Sequence, residues 1–260
     1  MNIAQLKAFK ESGEKITCLT AYDASFAKLF DECGVDMILV GDSLGNVIQG
    51  GENTLAVSMN DMIYHTKNVA KTCQKALLIA DMPYQSYDSA EQTLDNAKLL
   101  IDAGAQMVKF EGGHEHEASF KILQDNNIAV CGHLGLQPQS VLEMGGYKVQ
   151  GRDEVSANQI IEDAKLLESW GVAVLVLECI PSDLAKKVSQ SLSIPTIGIG
   201  AGVDCDGQVL VSYDMLGINT SNMPKFVKNF LTDNCDIKGA VNAFIKAVKD
   251  QSFPTGEHSY

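Results

Sequence analysis

Four apolar runs in this chain each end on an acid: LVGD on Asp42, LIAD on Asp81, VKFE on Glu111 and LVLE on Glu178. Any one of these acids is adequately explained as the cap of a following helix, an ordinary role after a strand. Four at matching positions are better explained as one site, because clustered carboxylates repel unless a cation or a proton joins them. Asp42, Asp81 and Glu111 are hard oxygen donors of the kind magnesium prefers, with positions left for water or substrate. Lys109 stands two residues before Glu111, so on a strand both side chains face the same way, into the barrel. Two roles are open to this lysine: a structural partner for the acids, or a cation for a substrate carboxylate. His133 ends the run AVCGH, where a lone histidine can be no more than a satisfied structural group.

Two further motifs carry less chemistry. His114 and His116 in GGHEHE look like zinc ligands, but the spacing is neither H-x-x-x-H nor a finger pattern and no cysteine is near. They are expected to form a solvated helix start. The glycines at 198, 200, 202 and 207 in PTIGIGAGVDCDGQ fall where barrels often bind phosphate. The pattern is not G-x-G-x-x-G, so the plainer expectation is a tight turn that admits a ligand or neighbouring backbone.

Positioning these residues requires a parallel sheet. Strands are expected at 16–20, 37–40, 76–80, 107–110, 129–132, 172–177, 196–199 and 209–212. Their near-continuous apolar character is that of strands buried on both faces. Eight such runs with helices between them point to a closed (β/α)8 barrel, whose active site lies at the carboxyl ends of the strands. Helix punctuation agrees. Ser58 and Asp61 have capping-box spacing, and Asp88 or Ser89 can cap a helix through Leu94, Ala97 and Ile101. One unit of helix, glycine, strand and acid recurs as CGVDMILVGD, AGAQMVKFE and WGVAVLVLE. Its glycines Gly34, Gly104 and Gly171 suit the left-handed turn that ends a helix.

The 260 residues fit one barrel domain over 1–260, and 45% of them are apolar, enough for a sizeable core. A formal charge of −13 leaves no broad basic surface for nucleic acid. The start lacks the apolar centre of a signal peptide, and the longest apolar run, near 172–177, is far too short to cross a bilayer. Seven cysteines, an odd number without a C-x-x-C pair, imply reduced thiols in the cytosol, each a small buried hydrophobe.

Several longer stretches resemble one family. They are LTAYDAS, VGDSLGNVIQGGENTL, ADMPYQSY, VKFEGG, CGHLGLQPQSV with GGYKVQG, LVLECIP, PTIGIGAG with CDGQVLV, and the final FPTGEHSY. Together they resemble ketopantoate hydroxymethyltransferases over nearly the whole chain. The resemblance implies a TIM barrel of the phosphoenolpyruvate/pyruvate-binding type. It implies magnesium at Asp42, Asp81 and Glu111, and substrate contacts from Asp42, Ser43, Asp81, Lys109 and His133. It also implies a catalytic base at Glu178. The implied reaction passes a one-carbon unit from 5,10-methylenetetrahydrofolate to 3-methyl-2-oxobutanoate through a magnesium-stabilised enolate, in pantothenate and coenzyme A synthesis. It further implies a decamer of stacked rings and an ordered tail, near a subunit contact or the barrel mouth. Met82, Tyr84, Phe110, Ala56 and Tyr213 depart from the family pattern. These bear on pocket shape, since none removes a carboxylate or the lysine. Two other readings are a phosphoenolpyruvate mutase or isocitrate-lyase-like lyase, which needs no folate, and a barrel that only binds a metabolite, which would lack an essential group.

Overall fold

Strands buried on both faces need apolar side chains on both, and this chain supplies them at the expected places. In the computed structural model, which describes residues 1–219, 223–233 and 236–260, the strands are β1 (Ile16–Thr20), β2 (Met37–Val40), β3 (Leu77–Asp81), β4 (Met107–Glu111), β5 (Val130–Gly135), β6 (Val174–Glu178), β7 (Thr196–Ile199) and β8 (Gly207–Leu210). They pair in parallel in chain order, and β8 closes the barrel against β1. β3, β4 and β6 run through their acids, so Asp81, Glu111 and Glu178 are strand residues held by the ladder. β8 begins two residues before the expected place because Gly207 pairs with both Ile16 and Ile197. A Gly–Gln pair carries no apolar signal.

The helices are α1 (Ile3–Ser12), α2 (Ala24–Cys33), α3 (Leu44–Val47), α4 (Met59–Ala70), α5 (Ala90–Asp102), α6 (Glu117–Asp125), α7 (Glu154–Ser169), α8 (Ser182–Ser191), α9 (Ser212–Met215) and α10 (Ile237–Lys249). The capping box forms: Ser58 Oγ accepts from Asp61 N at 3.2 Å, and Asp61 Oδ2 accepts from Ser58 N at 2.9 Å. Ser89, not Asp88, caps α5. The turn glycines Gly34, Gly104 and Gly171 have φ of 87°, 110° and 88°, which only glycine adopts without strain.

The glycine-rich stretch after β7, where the sequence shows no clear helix start, indeed carries none. β7 and β8 are joined by residues 200–206 without a helix. The carboxylate of Asp206 pins this crossover: its Oδ2 accepts from Thr196 N at 2.8 Å, from Thr196 Oγ at 2.9 Å and from Lys10 Nζ at 2.6 Å. The cysteine expectation is also corrected in part. Cys18, Cys131, Cys179 and Cys205 are buried, but Cys33 and Cys73 are half-buried, and Cys235 lies outside the described residues. Among the described residues no helix is long and apolar enough to cross a membrane.

Candidate active site

Strand register brings the chemistry together. Asp81 pairs with Lys109 across β3 and β4, and Glu111 pairs with His133 across β4 and β5. His133 pairs with Val176, two residues before Glu178 on β6. Alternation along β4 sends Lys109 and Glu111 to the barrel interior. Phe110 between them packs outward on Phe120, with ring centroids 4.3 Å apart. The predicted residues Asp42, Ser43, Asp81, Glu111, His133 and Glu178 all line one cavity of about 890 Å³. Lys109 stands behind that lining, its Nζ 2.7 Å from Asp81 Oδ1.

Asp42, Asp81, Glu111, Lys109 and His133 are each no more than 5% exposed. Burying charge is costly unless it is paired. Lys109 is the pairing cation: burial lowers its basicity, but Asp81, Glu111 and Asp42 together hold it above the ordinary lysine value. His133 places Nδ1 3.4 Å from Glu111 Oε1 and Nε2 3.3 Å from Glu178 Oε2. Neither contact has hydrogen-bond alignment, so both are ion-pair contacts. Burial and Lys109 push the imidazole down, yet the two carboxylates outweigh them and lift it to about 9. His133 is therefore a second cation at neutral pH.

Four carboxylates thus face two cations. The excess shows at Asp42, whose carboxyl is held well above its ordinary value by burial, then by Asp81 and Glu111. That is a donor set suited to a divalent ion. Among the described residues no three His, Cys, Asp or Glu side chains close around a common point. An ion here would take only part of its shell from the protein, as magnesium ordinarily does.

Glu178 does not cap α8. The residue preceding that helix is Pro181, and no side chain caps it. Glu178 instead keeps 15% of its side chain exposed, beside His133. Its surroundings are tightly built. Its carbonyl accepts from Leu136 N at 2.8 Å, and a Cβ at Gly135 (φ 95°) would collide with that carbonyl. Cys179, the next residue, has φ 48°, in the left-handed region. Strain of this kind concentrates at functional sites.

Ser43 shares a 2.8 Å hydrogen bond with the Tyr22 hydroxyl at the mouth. Tyr147, Lys148 and Arg152 from the β5–α7 connection, and Tyr260 from the tail, complete the rim. Sequence reasoning missed these four. The tail itself is ordered at the mouth as expected: the main-chain oxygen of Tyr260 accepts from Ser182 N at 2.9 Å and Oγ at 3.0 Å. Met82, Ala56, Tyr84, Phe110 and Tyr213 do not line the cavity. The glycine-rich β7–β8 turn admits close neighbours: Gly200 faces Phe226 and Tyr260, and Gly202 faces Ser182. His114 and His116 lie outside the cavity lining. His114 is exposed and pairs with Asp163, but His116 is half-buried edge-on against Tyr87. The expectation of a solvated pair fails for His116, because its ring fills space beside the aromatic layer.

This fold and site define a class: parallel barrels with an acid-rich mouth at the strand ends. Solved structures of the same shape include a phosphonopyruvate hydrolase in complex with oxalate and Mg++, at TM-score 0.62 and 14% identity over 99% of this chain and 93% of that one. A 2,3-dimethylmalate lyase, a member of the PEP mutase/isocitrate lyase superfamily, matches at TM-score 0.58 and 14% identity, covering 83% and 82%. At that identity the likeness is one of fold alone. Within the class, the chain belongs to the ketopantoate hydroxymethyltransferase family, whose model matches residues 1–256. It is 75% identical over its whole length to the 3-methyl-2-oxobutanoate hydroxymethyltransferase of Ruthia magnifica, covering all of both chains. It is 53% identical to that of Pseudoalteromonas atlantica, covering 98% of this chain and 96% of the other.

Proposed function

We propose that this chain transfers a hydroxymethyl group from 5,10-methylenetetrahydrofolate to 3-methyl-2-oxobutanoate, giving 2-dehydropantoate for pantothenate and coenzyme A synthesis. The observation that carries the reading is the pairing of a cavity-facing Glu178 with cationic His133, beside the buried group of Asp42, Asp81, Glu111 and Lys109. Glu178 is the general base that takes the C3 proton of the 2-oxo acid. Lys109 and His133 bring positive charge to where the substrate carboxylate and the developing enolate need it, and Ser43 contacts the substrate. Asp42, Asp81 and Glu111 would hold magnesium, which supplies Lewis-acid stabilisation of negative charge when bound. The C3 carbanion then attacks the methylene carbon of the donor and breaks one of its two carbon–nitrogen bonds; water displaces the other nitrogen and becomes the hydroxyl, and the two nitrogens of the departing tetrahydrofolate take up one proton from Glu178 and one from water.

The cavity volume of about 890 Å³ lies near the top of the range for ligand pockets, roughly 300–1,000 Å³. A small 2-oxo acid leaves most of it for a second, larger substrate. The assay that tests the reading measures 2-dehydropantoate formation with and without magnesium and the folate donor. Formation should require both. Cleavage of 2-oxo acid derivatives without the donor would contradict it and favour a lyase. We further propose that residues 1–260 act as one barrel domain in the cytosol, assembled as a decamer.

A further inference from the structure

Gln139 is only 3% exposed, sits beside the carboxylates, and has no part in the chemistry above. It makes four hydrogen bonds. Its Nε2 donates to Asp42 Oδ2 at 2.7 Å and to the Met82 carbonyl at 3.0 Å, and its backbone N donates to Glu111 Oε2 at 3.0 Å. Its Oε1 accepts from the Tyr87 hydroxyl at 2.6 Å. The orientation of the amide is forced. The Met82 carbonyl can only accept, so the NH2 group must face it and Asp42, and the oxygen must face Tyr87. Tyr87, itself 7% exposed, is then the donor that locks the amide against rotation.

We propose that Gln139 is the positioning residue that aims the Asp42 and Glu111 carboxylates at a bound divalent ion, with Tyr87 fixing its orientation. This rests on the reading of Asp42 and Glu111 as ion ligands. One oxygen of each carboxylate is committed: Asp42 Oδ2 and Glu111 Oε2 to Gln139, and Asp81 Oδ2 to Asp42 N at 3.0 Å. The second oxygens of two of them already face cations, Glu111 Oε1 towards His133 and Asp81 Oδ1 towards Lys109, so a bound ion would share those oxygens with the two side chains. Groups that hold ligands by hydrogen bonds set their direction and tune ion affinity. Gln139 also lies near the start of the connection that carries Tyr147 and Arg152 to the rim, so the same residue ties that connection to the carboxylates.

The test is manganese binding to the metal-free protein, read by calorimetry alongside thermal unfolding. Gln139→Leu should weaken affinity by about tenfold to a hundredfold. Tyr87→Phe, which removes one oxygen, should weaken it less. The double variant should be no weaker than Gln139→Leu, because both changes break one chain of contacts. A merely structural role would lower the melting temperature and leave the affinity of the folded protein unchanged. Wild-type affinity in Tyr87→Phe together with Gln139→Leu, or additive losses, overturns the proposal while leaving the ion site standing. No manganese binding by the wild-type protein overturns both. If Gln139→Leu does not fold, Tyr87→Phe alone decides: unchanged affinity overturns the proposal.

Discussion

Nε2 of His133 stands 3.3 Å from Oε2 of Glu178, although the two residues lie on adjacent strands and are 45 positions apart. The same ring reaches Glu111 with its other nitrogen. A protonated imidazole between these acids links the proposed ion-binding side of the mouth to the proposed base. Glu178 makes no cap to α8, whose N-terminus has no side-chain cap.

Lys109 is the buried countercharge of Asp81, Glu111 and Asp42. Removing one partner of a buried ion pair leaves charge uncompensated and costs about 3–5 kcal/mol. Lys109→Met should therefore destabilise the metal-free protein by that order in urea unfolding, besides abolishing turnover. A loss within about 0.5 kcal/mol, as at an ordinary surface position, would show that Lys109 does not neutralise the group.

Asp42→Asn should have opposite effects on stability and on ion response. It removes one of the mutually repelling buried charges, so the metal-free variant should melt no lower than wild type. Wild type should gain about 2.7 kcal/mol at a magnesium concentration a hundred times its dissociation constant. The variant should gain far less. Equal magnesium stabilisation in both proteins would remove Asp42 from the ion site.

The tail contributes packing and mouth contacts that can be tested apart. Phe253 is 2% exposed and packs on Phe230 and Phe244, with centroids 5.4 and 6.3 Å away. Deleting residues 253–260 should cost about 3–5 kcal/mol, the range for losing a buried phenylalanine. Tyr260→Ala should leave the fold intact and raise KM, because Tyr260 lines the cavity. Wild-type stability in the truncated protein, or unchanged KM in Tyr260→Ala, would return the tail to a frayed end.

His114 provides a pH handle away from the site. Its hydrogen bond to Asp163, then the charge of Asp163, raises its pKa above the ordinary 6.5. A raised folded value means the contribution to stability is complete below 6.5 and is lost as pH rises through the shifted value. His114 is itself largely exposed, though Asp163 is buried, so solvent screening keeps the effect on stability small. NMR titration should find His114 above 6.5 in wild type and closer to it in Asp163→Asn. Identical titration in the two proteins would contradict the pairing.

Most of the barrel was legible because strands buried on both faces leave continuous apolar runs. The acids were legible because each ends such a run. Gln139 and Tyr87 were not, since they meet across 52 positions, and Gln139 meets Asp42 across 97. No periodicity records a contact of that length. The pinning of the β7–β8 crossover was hidden for a similar reason: it is made by Asp206 reaching Thr196 and Lys10. His116 misled because a polar stretch, GGHEHE, gives no sign that one ring turns inward against Tyr87.

The central claim is that Glu178 removes the C3 proton of 3-methyl-2-oxobutanoate. It is tested most directly by following exchange of that proton with solvent deuterium, in the presence of magnesium and without the folate donor. Wild type should exchange it. Glu178→Gln keeps the shape of the side chain but cannot accept the proton, so exchange should fall by about a hundredfold or more. Binding of the acid and magnesium, and the melting temperature, should stay close to wild type. Exchange at the wild-type rate in a well-folded Glu178→Gln protein would falsify the account.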